Sequence, residues 1–318
     1  VGASTIVSVK LGQKDYTSAR KALGNVVALN VIIGVAFMTI SLLFLDKILL
    51  FFGASENTLQ YAREYMEIIL YGNVVTHMYL GLNAVMRSGG HPQRSMMMTI
   101  LTVVLNAILD PIFIFGFNWG IQGAAIATIL AQIVALAWIL ISFMNKKEVL
   151  HFESGIFKLD RRIVTASLSI GMAPFLMNVA ACIIVIFINN GLQQHGGDLA
   201  IGAYGIVNRI TFVFVMVVMG LNQGMQPIAG YNYGARNIDR MLNVLKLTII
   251  WATVIMTFGF MICEFIPGLI ARIFTSDEEL IARSVRGMRI VAIFFPIIGM
   301  QMVTGNFFQS IGMARQAI

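Results

Sequence analysis

Asp110 lies inside an apolar run spanning 93–116, and Asn106 lies four residues before it. In a helix that spacing stacks both side chains on one face. The next apolar run, 120–144, carries Thr128, and a short polar connection near Asn118 joins the two runs. Asp110 stands eight residues before Asn118 and Thr128 ten after it. At a rise of about 1.5 Å per residue, both fall roughly 12–15 Å below the same helix ends. An amide, a carboxylate and a hydroxyl can therefore meet at one depth. Burial disfavours an ionised carboxylate, so an acid placed there can take up a proton and release it as solvent access changes. The same oxygens suit Na⁺, and the residue types do not choose between the two ions. A structural alternative stays open: Asp110 starts a turn with Pro111, while Asn106 and Thr128 satisfy backbone groups that the proline frees.

A second group of polar side chains lies in the apolar runs of the other half. Asn178 follows Pro174, and Gln301 opens a stretch reaching to Gln309. These two are candidate walls of a substrate cavity; packing across helices is the alternative. Arg209 sits near a run interior and can snorkel or pair with a loop acid. Arg283, Arg286 and Arg289 recur at helical spacing at the start of the last run, where headgroup anchoring is expected. No G-x-x-x-x-G-K-[ST], H-E-x-x-H or G-x-S-x-G string occurs, which argues against a nucleotide-driven pump or an intramembrane hydrolase. A repeated filter string, as a channel would need, is also missing. Cys182 and Cys263 lie apart in apolar runs, so neither a disulfide framework nor a metal site is expected.

The elements that position these residues must cross a bilayer. Of 318 residues, 58% are hydrophobic and 12% charged, with mean hydropathy +0.82. Soluble domains carry about 25% charged residues. Apolar runs at 22–45, 61–87, 93–116, 120–144, 163–191, 200–227, 241–271 and 282–311 read as eight spans, after a stub at 1–10. The net charge of +7 is spread between the runs, not in a stripe with aromatics, which excludes nucleic acid as a partner. Lys10, Lys14, Arg20, Lys21, Arg87, Arg94, Lys146, Lys147, Lys158, Arg161, Arg162, Arg236, Arg240 and Lys246 fall in alternate breaks. The positive-inside rule makes those breaks cytoplasmic and the chain a multi-pass protein of the plasma (inner) membrane, in contact with its lipids. Asp46, Glu56, His195, Asp198 and Glu278 fall in the others. The longest break gives three parts: a first lobe at 1–144, a cytoplasmic linker at 145–162 and a second lobe at 163–318.

An internal repeat orders these spans. A constant offset of 222 residues pairs Gly2 with Gly224, Gly12 with Gly234, Leu23 with Leu245 and Phe52 with Phe274. It continues through Glu56 and Glu278, Met66 and Met288, Ser88 and Ser310, and Gly90 and Gly312. An offset that covers an even number of crossings keeps both copies in one orientation. The expected fold is therefore all-α and polytopic, with two pseudo-symmetric lobes of parallel repeats, a plan that supports alternating access.

Two strings carry a family resemblance. One is Gly230-Tyr231-Asn232-Tyr233-Gly234-Ala235 after Gln226-Pro227; the other is Asn106-Ala107-Ile108-Leu109-Asp110-Pro111, followed by Gly120-Ile121-Gln122-Gly123-Ala124-Ala125. With the repeat, they make the chain resemble the bacterial branch of the multidrug and toxic compound extrusion (MATE) family over its whole length. The resemblance implies an antiporter, not an enzyme, that exports small organic compounds in exchange for H⁺ or Na⁺, with no other cofactor. It points to Asn106, Asp110 and Thr128 as partners of a first-span acid. It also implies that the chain lacks the first span and the last two of a twelve-span protein, expected to be a monomer. Asn178 stands where some members carry a seventh-span acid, and the stretch from Gln301 to Gln309 has none. A flippase for lipid-linked saccharides, sharing the two-lobe plan, is the alternative.

Overall fold

In the computed structural model, residues 1–52, 56–153 and 155–317 are described; the side chains of Glu56 and Asp198, used above in the charge pattern, lie outside the described residues. The described residues form helices and connecting turns. The first unit contains α1 (Gly2–Gly12), α2 (Tyr16–Leu43), α3 (Leu45–Phe51), α4 (Glu56–Tyr71), α5 (Asn73–Ser88), α6 (Pro92–Pro111) and α7 (Gly120–Met144). The second begins at Leu168, inside α8 (Arg161–Gly234), and continues through α9 (Ile238–Phe265), α10 (Pro267–Phe274), α11 (Glu278–Ala292) and α12 (Phe295–Ser310). Gly197, at φ +63°, divides α8 into two limbs, Arg161–Gly197 and Leu199–Gly234.

Among the described residues, six helices are long and apolar enough to cross a membrane: α2, α6 with the turn that follows it, α7, the two limbs of α8, and α9. The runs at 61–87 and 282–311, read from sequence as unbroken spans, are each two helices. α4 meets α5 at 53° and α11 meets α12 at 52°. The run at 241–271 likewise divides after Phe265, where Ile266 is non-helical and Pro267 starts α10. A hydropathy window averages across one non-helical residue, so such breaks stay hidden in apolar composition. Large apolar side chains cover the outer faces: Ile141, Phe187 and Phe265 are all more than half exposed. In a bilayer that surface meets lipid, where helices leave no backbone group unpaired.

The 222-residue offset is also structural. Added to the bounds of α2, it returns both bounds of α9; added to α5, both bounds of α12. α2 and α9 are 28 residues each. The left-handed residues repeat as well: Lys14 at φ 61° matches Arg236 at 58°, and Gly90 at 94° matches Gly312 at 83°. Each unit has its own core. Leu23, Leu82, Val85 and Ile139 are buried in the first; Met256, Met288, Phe295 and Val303 in the second.

The described residues of 145–160 pack against helices of the first unit. Gly24 makes this possible, because a Cβ there would lie 2.1 Å from the Ile156 carbonyl oxygen. Asn25 follows with both ends of its amide engaged: Nδ2 donates to the Lys158 carbonyl at 3.2 Å, and Oδ1 accepts from the Asp160 N–H at 2.8 Å. Glu148 binds His91 at 3.0 Å and Arg94 at 2.8 Å. Those partners, with the Arg94 hydrogen bond leading, hold the Glu148 carboxyl below the usual carboxylate range. Glu153 binds Arg20 and His151. Leu150 and Phe152 join the core of the first unit.

Candidate functional site

The polar cluster in the first unit is built on α6 and α7. Asn106 Nδ2 donates to Asp110 Oδ1 at 2.9 Å, one helical turn along α6. The same amide nitrogen lies 3.3 Å from Thr128 Oγ1 on α7. Thr128 Oγ1 in turn donates to the Ala124 carbonyl at 3.0 Å, which leaves its lone pairs to accept from Asn106. All three residues are half-buried. Thus the antiparallel geometry expected from spacing brings amide, carboxylate and hydroxyl to one depth. Among the described residues, the hydrogen bond to Asp110 is made at Oδ1.

The local backbone explains how two helices come this close. Pro111 has no N–H and cannot continue the α-helical ladder. The chain widens into a π-helical turn at Ile112–Gly116, closed by the Phe117 N–H on the Ile112 carbonyl at 2.9 Å. Such turns recur at functional sites because they re-aim the residues beside them. α7 crosses this turn at Gly123, where a Cβ would meet the Phe113 carbonyl carbon and oxygen at 2.8 Å. Any larger residue at Gly123 would push α7, and Thr128 with it, away from α6.

The polar group extends one turn further down α7. Thr76 Oγ1 on α5 donates to Gln132 Oε1 at 2.5 Å, and Gln132 follows Thr128 by four residues. Asn73, three residues before Thr76 at the α4–α5 bend, donates to the Gly34 carbonyl of α2 at 3.0 Å. Sequence reasoning missed Thr76 and Gln132. The i, i+4 step from Thr128 was a usable signal for Gln132; Thr76 needed knowledge of which face of α5 meets α7.

Asn178 and Gln301 are both exposed in the second unit, and no hydrogen bond joins them among the described residues. Asn178 Nδ2 donates to the Pro174 carbonyl of its own helix at 2.7 Å. Neither lines the groove of the second unit between α8 and α11. Among the described residues, no three His, Cys, Asp or Glu side chains are grouped to hold a metal ion.

Two copies of one helical repeat, apolar outer faces and a polar cluster held between α6 and α7 beside the first copy define a multi-pass membrane transporter of the cell membrane. The MatE family model matches residues 1–112 and 169–318, and the chain belongs to that family. Among curated relatives, the multidrug export protein MepA of Staphylococcus aureus (strain NCTC 8325 / PS 47) is 29% identical over 321 residues. That match covers 100% of this chain and 70% of the relative. MepA of Staphylococcus haemolyticus (strain JCSC1435) is 27% identical with the same coverage. An outward-facing multidrug resistance MATE family transporter of the MOP superfamily superposes with a TM-score of 0.93 at 24% identity, over 99% of this chain and 71% of that one. The MATE multidrug transporter DinF-BH, solved as a complex, gives 0.89 at 31% identity with the same coverage.

Proposed function

We propose that the protein is a multidrug exporter of the MatE family that works as an antiporter, exchanging small organic compounds for H⁺ or Na⁺. Its relatives are named as multidrug exporters, which favours drug export over transfer of lipid-linked saccharides. The observation that carries the coupling is the hydrogen-bonded group Asn106, Asp110 and Thr128 within the membrane. An acid at that depth is costly unless it serves a polar function. Taking up a proton or a cation changes the charge of the first lobe and biases it between two arrangements. In this reading residues 1–144 and 163–318 are the lobes, 145–162 connects them, and Asn178 and Gln301 contribute to substrate contact.

Asp110→Asn in the full-length protein, reconstituted in liposomes under an imposed gradient, is the test. The expected result is loss of gradient-driven dye efflux with expression and substrate binding retained. Efflux at the wild-type rate with normal ion coupling would remove Asp110 from the mechanism.

A further inference from the structure

The three arginines at the start of α11 are not equivalent. Arg283 pairs with Glu279 at 2.7 Å and donates to the Gly196 carbonyl at 3.0 Å. Arg289 lies 3.7 Å from Glu264. Arg286, between them, has no acid partner among the described residues, and it lines a groove of about 360 Å³ between α11 and the second limb of α8. That volume is in the range of small-ligand pockets.

The groove is two helical stripes facing each other. Glu279, Arg283, Arg286 and Ile290 recur along α11, and Ala203, Tyr204 and Val207 along α8. The two stripes meet closely at Gly287, where a Cβ would stand 3.1 Å from the Val207 side chain. From Glu279 to Val291 it runs twelve residues, roughly 18 Å of helix. Its polar groups gather toward the Glu279 end, beside the turn at Gly196 where the two limbs of α8 meet, and its deeper walls are apolar.

We propose that this groove binds a phospholipid with an anionic headgroup. The phosphate would lie on the Arg286 guanidinium, and one acyl chain would lie along Ala203, Val207 and Ile290. An arginine fork matches two phosphate oxygens. A headgroup such as phosphatidylglycerol leaves its negative charge for the protein to neutralise, whereas the ammonium of phosphatidylcholine already compensates its own phosphate. A free inorganic anion would satisfy Arg286 but leave the apolar walls unfilled. The polar end lies where two membrane helices turn, at the level where headgroups are found.

The test is native mass spectrometry of the full-length protein, delipidated and then exchanged with equimolar phosphatidylglycerol and phosphatidylcholine. The wild type is expected to retain one phosphatidylglycerol with about tenfold preference, the size of one charge-assisted contact. Arg286→Gln should abolish the preference. Ala282→Trp, at an exposed position on the groove wall, should reduce retention of both lipids while leaving Arg286 in place. Equal retention of the two lipids by the wild type would overturn the proposal, as would unchanged phosphatidylglycerol binding in both variants. Inorganic phosphate competing as strongly as the lipid would show an anion site without a chain and would also overturn it. The readout involves no transport, so either result leaves the Asp110 reading intact.

Discussion

Asp15 and Asn237 occupy one position in the two copies and close the same kind of helix start. Asp15 Oδ1 accepts from the Ser18 N–H at 3.1 Å to open α2, and Asn237 Oδ1 accepts from the Arg240 N–H at 3.5 Å to open α9. Each follows a left-handed residue, Lys14 or Arg236. One cap is ionisable and the other is not, so pH separates them.

Hydrogen bonds from Ser18 hold the Asp15 carboxyl below its ordinary range. A group depressed in the folded state contributes fully above its unfolded value and loses that contribution as pH falls through the folded one. Asp15→Asn should therefore flatten the acid limb of thermal stability in detergent, whereas the neutral Asn237 cap gives no such limb. Asp15→Ala should cost about 1 kcal/mol at neutral pH, as lost N-caps do. An unchanged acid limb in Asp15→Asn would assign it to other carboxylates.

Glu148 should control the docking of 145–160. Glu148→Gln removes the charge that holds His91 and Arg94. Trypsin cleavage after Lys146 or Lys147 is expected to accelerate several-fold in the variant. The wild type should show the same acceleration only at acid pH, because the Glu148 carboxyl is depressed and its contribution persists until protons displace it. Cleavage can be followed with a protease active under acid conditions, and equal rates in both proteins would contradict the role.

Gly123 should tolerate no side chain of size. Gly123→Leu places carbon atoms against the Phe113 backbone. Overpacking of this kind costs about 1–3 kcal/mol. A lower melting temperature in detergent and weakened ion-coupled efflux should appear together, since the displaced α7 carries Thr128. A variant with wild-type melting and efflux would mean that α6 and α7 separate freely.

Asn106→Leu should impair coupling more than Thr128→Val. The first removes a contact to a carboxylate, worth roughly tenfold, and the second a longer contact to an amide. Initial rates of gradient-driven efflux in liposomes measure both. The reverse order would place the ion nearer α7 than α6.

Much of this was legible in the residues. Asn106, Asp110 and Thr128 could be brought together because an i, i+4 pair and a short antiparallel connection fix face and depth. The repeat could be read because glycines and a glutamate recur on one offset, and the helix bounds follow the same offset. The docked segment was hidden for a different reason. Its charged, polar composition reads as solvated, and the helix side chains that hydrogen-bond to it lie 54 to 135 residues away in the chain. Arg283, Arg286 and Arg289 recur at one spacing; the i, i+4 step from Glu279 already marked Arg283 apart, whereas the approach of Arg289 to Glu264 depends on α9 packing beside α11.

The paired bends carry a consequence about descent. α4–α5 and α11–α12 bend by 53° and 52°, yet the vertices share no residue: Gly72, Asn73 and Val74 stand opposite Phe294, Phe295 and Pro296. In the first copy Asn73 ties the vertex to Gly34; in the second, a proline starts the new helix. What survived since the copies parted is a backbone path, with its chemistry replaced piece by piece. A hinge inherited in that way leaves no motif, and comparison by residue identity would pass over it in any protein built by duplication.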